Sequence, residues 1–113
     1  MQKINTDILR LRDILASIAD IESFGVVDVT QRKELFASAY AIAVIGEAAN
    51  NISTALQHQH PEVPWAQMIG MRHRIIHGYG KLNVERLREV IVTHLPVLKD
   101  QISNVLSQLE SMG

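Results

Sequence analysis

Two kinds of side chain able to hold phosphate and move protons lie together in Gly70-Met-Arg72-His73-Arg74-Ile-Ile-His77-Gly78-Tyr79-Gly80. Arginine stays charged and can fork onto a phosphate. Histidine exchanges a proton near neutral pH. Together they supply what RNA transesterification needs: proton transfer at the 2′-hydroxyl or the leaving 5′-oxygen, and stabilisation of the pentavalent phosphorane. That chemistry requires no metal. Arg72 and His77 are five residues apart, which on one continuous helix leaves them about 140° out of rotation. They converge better if the helix ends near Gly78, or if two copies meet across a twofold axis. The spacing therefore favours a site shared at a dimer interface.

The surrounding residues offer supporting groups. Residues 72–88 hold Arg72, Arg74, Lys81, Arg86 and Arg88 against Glu85 alone, so 5 of the 11 basic side chains fall in this stretch. A local field of this kind attracts phosphate even on a neutral protein; an ordinary solvated helix face is the alternative. His73 and His77 have the i, i+4 spacing of a helical zinc site. Arg74, however, stands where such sites place a glutamate base and would repel the ion, so no metal is expected. His58 and His60 add ligands only in a fold that brings them close. Glu47, within Ile45-Gly46-Glu47-Ala48-Ala49, either faces solvent or pairs with a cation such as Arg72. Trp65 reads better as a core plug than as a base-stacking platform. Tyr79, between two glycines, reads as a surface phenol that either contacts RNA, accepts a modification or does neither.

The elements that must position these groups are helical. Apolar residues recur at Ile4, Ile8, Leu11, Leu15, Ile18 and Ile21, predicting a helix over about 3–24 that Gly25 can cap. A second helix, entered at Asp28 or Thr30, is predicted through Leu35, Phe36, Ala39, Ile42, Ala43, Ala49, Ile52 and Leu56. Its small-residue middle, 37–49, permits close helix approach. Pro64 is placed for a first helical position before a short helix through Trp65, Met68, Ile69, Ile75 and Ile76, ended by Gly78 and Gly80. Asn83 can cap a last long helix from Val84 to Leu109, which Pro96 should kink or divide. No alternating strand pattern is present. These elements predict an all-α bundle of four or five helices.

Composition agrees and narrows the function classes. The 113 residues fit one domain, 1–113, and 47% hydrophobic content against 20% charged permits a core. With 11 basic and 12 acidic side chains the net charge is −1, which excludes a protein that coats nucleic acid with its whole surface. There is no cysteine, hence no disulfide, thiolate nucleophile or Cys-ligated zinc. No signal-peptide core or membrane-length apolar run is seen, so a cytoplasmic location is expected.

Arg72-His-Arg-Ile-Ile-His77-Gly-Tyr79 resembles the R-x4-H-x-Y signature of the HEPN superfamily, specifically its HepT-like toxins. Ile45-Gly-Glu-Ala48, Pro61-Glu-Val-Pro-Trp65 and Gly70-Met-Arg72 occur in the matching order, so the likeness covers most of the chain. The polar residue usual after the arginine is His73. Where many relatives carry an acidic residue after the tyrosine and an aromatic further on, this chain has Asn83 and Leu87. The resemblance implies an up-and-down HEPN-type bundle that forms a homodimer. It also implies a metal-independent endoribonuclease with no cofactor, in which His77 is general acid or base and Arg72 holds the scissile phosphate. Glu47, His73, Arg74 and Lys81 are the supporting or RNA-binding candidates. HepT-like toxins pair with a minimal nucleotidyltransferase antitoxin of the MntA type, which transfers AMP to the motif tyrosine, here Tyr79. The alternative from another class is a non-catalytic helical module that partners the nucleotidyltransferase.

Overall fold

The computed structural model describes residues 2–25, 30–77 and 81–112, the side chains of residues 2–4 and of His77 excepted. Helix α1 spans Gln2–Ser23, α2 Arg32–Asn50, α3 Thr54–Gln59 and α4 Trp65–Ile75. Two short strands follow, β1 (Ile76–His77) and β2 (Lys81–Leu82). Then come α5 (Val84–Glu89), a π-helical turn (Val90–His94) and α6 (Leu95–Met112). Counting the rod from α5 to α6 as one gives five helices among the described residues. Helix α1 packs on α2 and α6, and α2 packs on α4. The all-α bundle expected from the periodicity is thus observed.

The helices bury most of the faces their spacing marks out, except that on α1 Ile14 is fully buried where the spacing names Leu15, which is only partly buried. Leu11, Ile14, Ile18 and Ile21 of α1 meet Ile42, Ile45 and Ala49 of α2 in one apolar core with Leu98, Ile102 and Val105 of α6. Each large aliphatic side chain removed from water contributes about 1.5–3 kcal/mol. Trp65 is a core residue, and its indole N–H donates to the His60 carbonyl at 3.0 Å. Gly25 takes a left-handed φ of 71° after α1, the conformation that suits glycine at a helix C-terminus.

Several boundaries differ from the sequence reading, each for a local reason. The second helix does not run on to Leu56. It stops at Asn50, and a new helix starts after Ser53, whose hydroxyl accepts from the Leu56 N–H at 3.3 Å. The buried carboxylate of Asp7 fixes that break by accepting the Ser53 N–H at 2.8 Å and the Ser53 hydroxyl at 2.6 Å. Asp7 stands on α1, so one side chain ties three helices together. At the start of α2 the N-cap is Gln31, with no side-chain cap bond, and Thr30 lies one residue outside it. Asp28 is outside the described residues. Pro64 caps α4 rather than opening it, its carbonyl accepting the Met68 N–H at 2.9 Å.

Helix α4 ends at Ile75, and an antiparallel pair follows with Ile76 opposite Leu82 and His77 opposite Lys81. A pair this short leaves no room for the alternation by which strands are recognised. Asn83 then caps α5, its side-chain oxygen accepting the Arg86 N–H at 3.0 Å. Pro96 divides the last helix as expected: it has no N–H to give, and the five residues from Val90 to His94 just before its turn are wound as a π-helix. The buried residues of the rod record this. Leu87, Val90, Leu95, Leu98, Ile102, Val105 and Leu109 follow helical steps of three and four except for one step of five, from Val90 to Leu95.

At Gly46 helix α2 lies tight against α4. A Cβ there would lie 2.9 Å from the Met68 carbonyl oxygen and 3.4 Å from that of Ile69, both on α4. Gly70, by contrast, has nothing within 4 Å of its Cβ position. Alanine gains about 1 kcal/mol over glycine in a helix interior, while forcing atoms into a packed interface costs about 1–3 kcal/mol. Gly46→Ala should therefore lower stability by about 1–2 kcal/mol, and Gly70→Ala should raise it by about 0.5–1 kcal/mol. Urea unfolding of the two variants checks both signs.

Candidate active site

The contact at Gly46 brings the next residue of α2, Glu47, over the face of α4 that carries Arg72. The two line one groove of about 470 Å³ between α2 and α4. Phe36 and Tyr40 of α2 form its far side, and Ile76 and Leu82 of the hairpin close its end. Arg72 sits in the last turn of α4 with an exposed side chain. Glu47 faces solvent, and among the described residues it makes no ion pair with Arg72 or any other cation. Of the two sequence readings of Glu47, the solvent-facing one is the structure's.

The helix stops two residues short of His77, so the rotation that separated Arg72 from His77 on a continuous helix does not arise. The backbone of His77 lies in β1, opposite Lys81, past the end of the Arg72 helix. Its side chain, and residues Gly78, Tyr79 and Gly80, lie outside the described residues. Lys81 is exposed on β2, and His73 is exposed on α4. Arg74 does not join Arg72. It lines a different cleft, with Arg86 and the α5–α6 rod. The basic stretch 72–88 is therefore divided between two sides of α4 rather than gathered into one patch. Among the described residues no three His, Asp or Glu side chains gather as a metal site would require. His60 instead faces Glu62 at 3.2 Å.

Sequence reasoning missed two groove residues. Phe36 was placed on the apolar face of α2, yet it is 47% exposed, and Tyr40 is 73% exposed. Arg32 lies over the Phe36 ring, 4.9 Å from its centroid, a cation–π contact that keeps the ring at the surface. The signal was present as Arg32, Phe36 and Tyr40 at steps of four, one stripe on the helix, but step size alone does not say which stripe faces out.

An all-α bundle with an R-x4-H run leaving its fourth helix defines a protein of the HEPN class. Within that class the chain belongs to the HepT-like ribonuclease family, whose model, described as ribonuclease HepT-like, matches residues 7–105. It is 34% identical over 100 residues to the "Probable ribonuclease HepT" of Thermococcus cleftensis, covering 84% of this chain and 91% of that one. A Methanocaldococcus jannaschii protein named as a "Putative RNase" is 29% identical over 106 residues, covering 88% and 87% of the two chains. A Caldanaerobacter subterraneus relative with the same designation is 32% identical over 68 residues, 60% of this chain and 61% of its own. No solved structure gives a significant match.

Because Glu47 is exposed and unpaired, its charge should add nothing to folding. Glu47→Gln is expected to change stability by less than about 0.5 kcal/mol, measured by thermal unfolding.

Proposed function

We propose that this chain is a metal-independent endoribonuclease, the toxin of a toxin–antitoxin pair, acting at an R-x4-H site shared between two copies. The observation that carries the reading is the exposed Arg72 in the α2–α4 groove, with the chain leaving the helix just before His77, in a member of a ribonuclease family. In the reaction the RNA 2′-oxygen bonds to phosphorus as the bond to the 5′-oxygen breaks. The products are a 2′,3′-cyclic phosphate and a free 5′-hydroxyl. His77 takes the 2′-hydroxyl proton or delivers one to the departing oxygen. Arg72 balances the extra negative charge on the phosphorane, where a preformed cation acts without reorganising. Lys81 and His73 stand nearby in the chain as supporting or RNA-binding groups, and Glu47 can orient Arg72 once RNA or a second copy narrows the groove.

The dimer fits the same groove. Its rim exposes Phe36 and Tyr40 beside Arg72, apolar surface that a second copy would cover while bringing its own Arg72 and His77 to the cleft. Among the described residues no helix is long and apolar enough to cross a membrane. Regulation follows from chemistry. The Tyr79 phenol oxygen would attack the α-phosphorus of ATP bound by a minimal nucleotidyltransferase, releasing pyrophosphate. The resulting AMP adds bulk and negative charge two residues from His77, where it would obstruct the cleft and repel substrate phosphate.

The purified protein should cleave single-stranded RNA in the presence of EDTA. His77→Ala should lose about 10²–10⁴-fold in rate and keep the wild-type unfolding midpoint. Wild-type rates in that variant would remove His77 from the mechanism. A wild-type protein that binds the nucleotidyltransferase but leaves RNA intact would instead be a non-catalytic module. Incubation with the partner and ATP should add AMP masses to the wild type and none to Tyr79→Phe; an unmodified wild type would sink the regulatory step.

A further inference from the structure

Helix α4 presents a second face at the same last turn. Arg74 is two residues beyond Arg72, about 200° around the helix, and it lines a cleft of about 500 Å³ between α4 and the α5–α6 rod. The floor of that cleft is apolar, made by the buried Met71, Val90 and Leu98, with Val97 at its edge 57% exposed. Gln67 and Thr93 supply an amide and a hydroxyl at the rim.

Two carboxylates, Glu62 and Glu89, also face the cleft, and both are engaged. Glu89 lies 3.6 Å from Arg86 and 3.3 Å from His94, and Glu62 lies 3.2 Å from His60. Arg74 has no carboxylate partner among the described residues. What the cleft offers is one guanidinium with no carboxylate within ion-pair distance, above an apolar floor with hydrogen-bonding groups at the edge. A nucleotide has the matching chemistry: a phosphate for the guanidinium, a flat base for the floor and polar base edges for the rim. The cleft is also in the right place. Arg72 and Arg74 leave the same last turn of α4, a body about 10 Å wide, so the groove and the cleft border one helix.

We propose that this cleft binds a nucleotide of the RNA strand flanking the scissile one, Arg74 holding its phosphate and Met71, Val97 and Leu98 supporting its base. The assignment rests on the ribonuclease reading. Its test is fluorescence anisotropy with a labelled, 2′-O-methylated single-stranded RNA, which binds but cannot be cut. Arg74→Ala should weaken binding about tenfold and reduce the slope of log affinity against log salt by about one. Val97→Trp, which fills the cleft without changing charge, should also weaken binding. Arg10→Ala, a surface cation of α1, should not.

Normal binding by both cleft variants would overturn the proposal. So would a loss in Arg74→Ala alone, which would mark a surface charge rather than a seat, or an equal loss in Arg10→Ala. Intact RNA binding with lost nucleotidyltransferase binding would make the cleft a protein seat and likewise overturn it. A wild type that binds the modified RNA through the cleft yet leaves unmodified RNA whole defeats the ribonuclease reading alone. A wild type that cuts RNA while both cleft variants bind normally defeats the cleft alone.

Discussion

The spacing between α2 and α4 is the constraint on which the site depends, and it is set where Gly46 lies against the carbonyls of Met68 and Ile69. Helices whose contact residues are larger pack with their axes roughly 8–10 Å apart, and small residues let backbones come closer. With the helices this near, Glu47 and Arg72 necessarily share a groove, since each follows the contact by a short step along its own helix. Phe36 and Tyr40, farther up α2, are left exposed among the described residues. Tight packing at one end of the helix pair goes with an exposed aromatic stripe at the other.

The two halves of the R-x4-H motif are held by different kinds of structure. Arg72 takes its direction from helical phase on α4, while the backbone of His77 takes its place from pairing with Lys81 across a hairpin. A long cationic side chain tolerates small errors of direction because its charge acts over several ångströms. A proton-transfer group does not, since it must come within hydrogen-bond reach of the oxygen it serves. On the proposed mechanism, placing the histidine on a paired backbone beyond the helix end separates these two requirements. The chain has a net charge of −1, yet several of its cations gather around one helix end, divided between its two sides.

Much of this was legible before any coordinates, and the residues show why. The stripe of α6 is strict in its three-and-four spacing, and its buried face was readable. On α1 the stripe was right at Leu11, Ile18 and Ile21 but named Leu15 where the fully buried residue is Ile14. Gly25, Asn83 and Pro96 act through local backbone chemistry, and each does what that chemistry predicts. Tertiary contacts were the part that escaped. Nothing local says that Ser53 starts a new helix, because the reason is Asp7, 46 positions earlier in the chain. The helix expected through Trp65 to Ile76 already turns Arg74 about 200° from Arg72, but only the packing of α2 and of the α5–α6 rod decides which groove each one lines. Phe36 and Ile42 look alike in a hydrophobicity profile, and only the placement of α1 and α4 decides that one is exposed and the other buried.

The step of five between Val90 and Leu95 has a bearing on how the chain can change. A regular helix carries its buried face at steps of three and four, so one residue in this turn is surplus to the packing of the core. Removing it would leave a step of four and let α6 keep its apolar face toward α1. Thr93 and His94, which lie inside the π turn and line the Arg74 cleft, would then be the residues to shift. The rod can therefore shed a residue here and reshape one cleft while the core that supports the Arg72 groove stays in register.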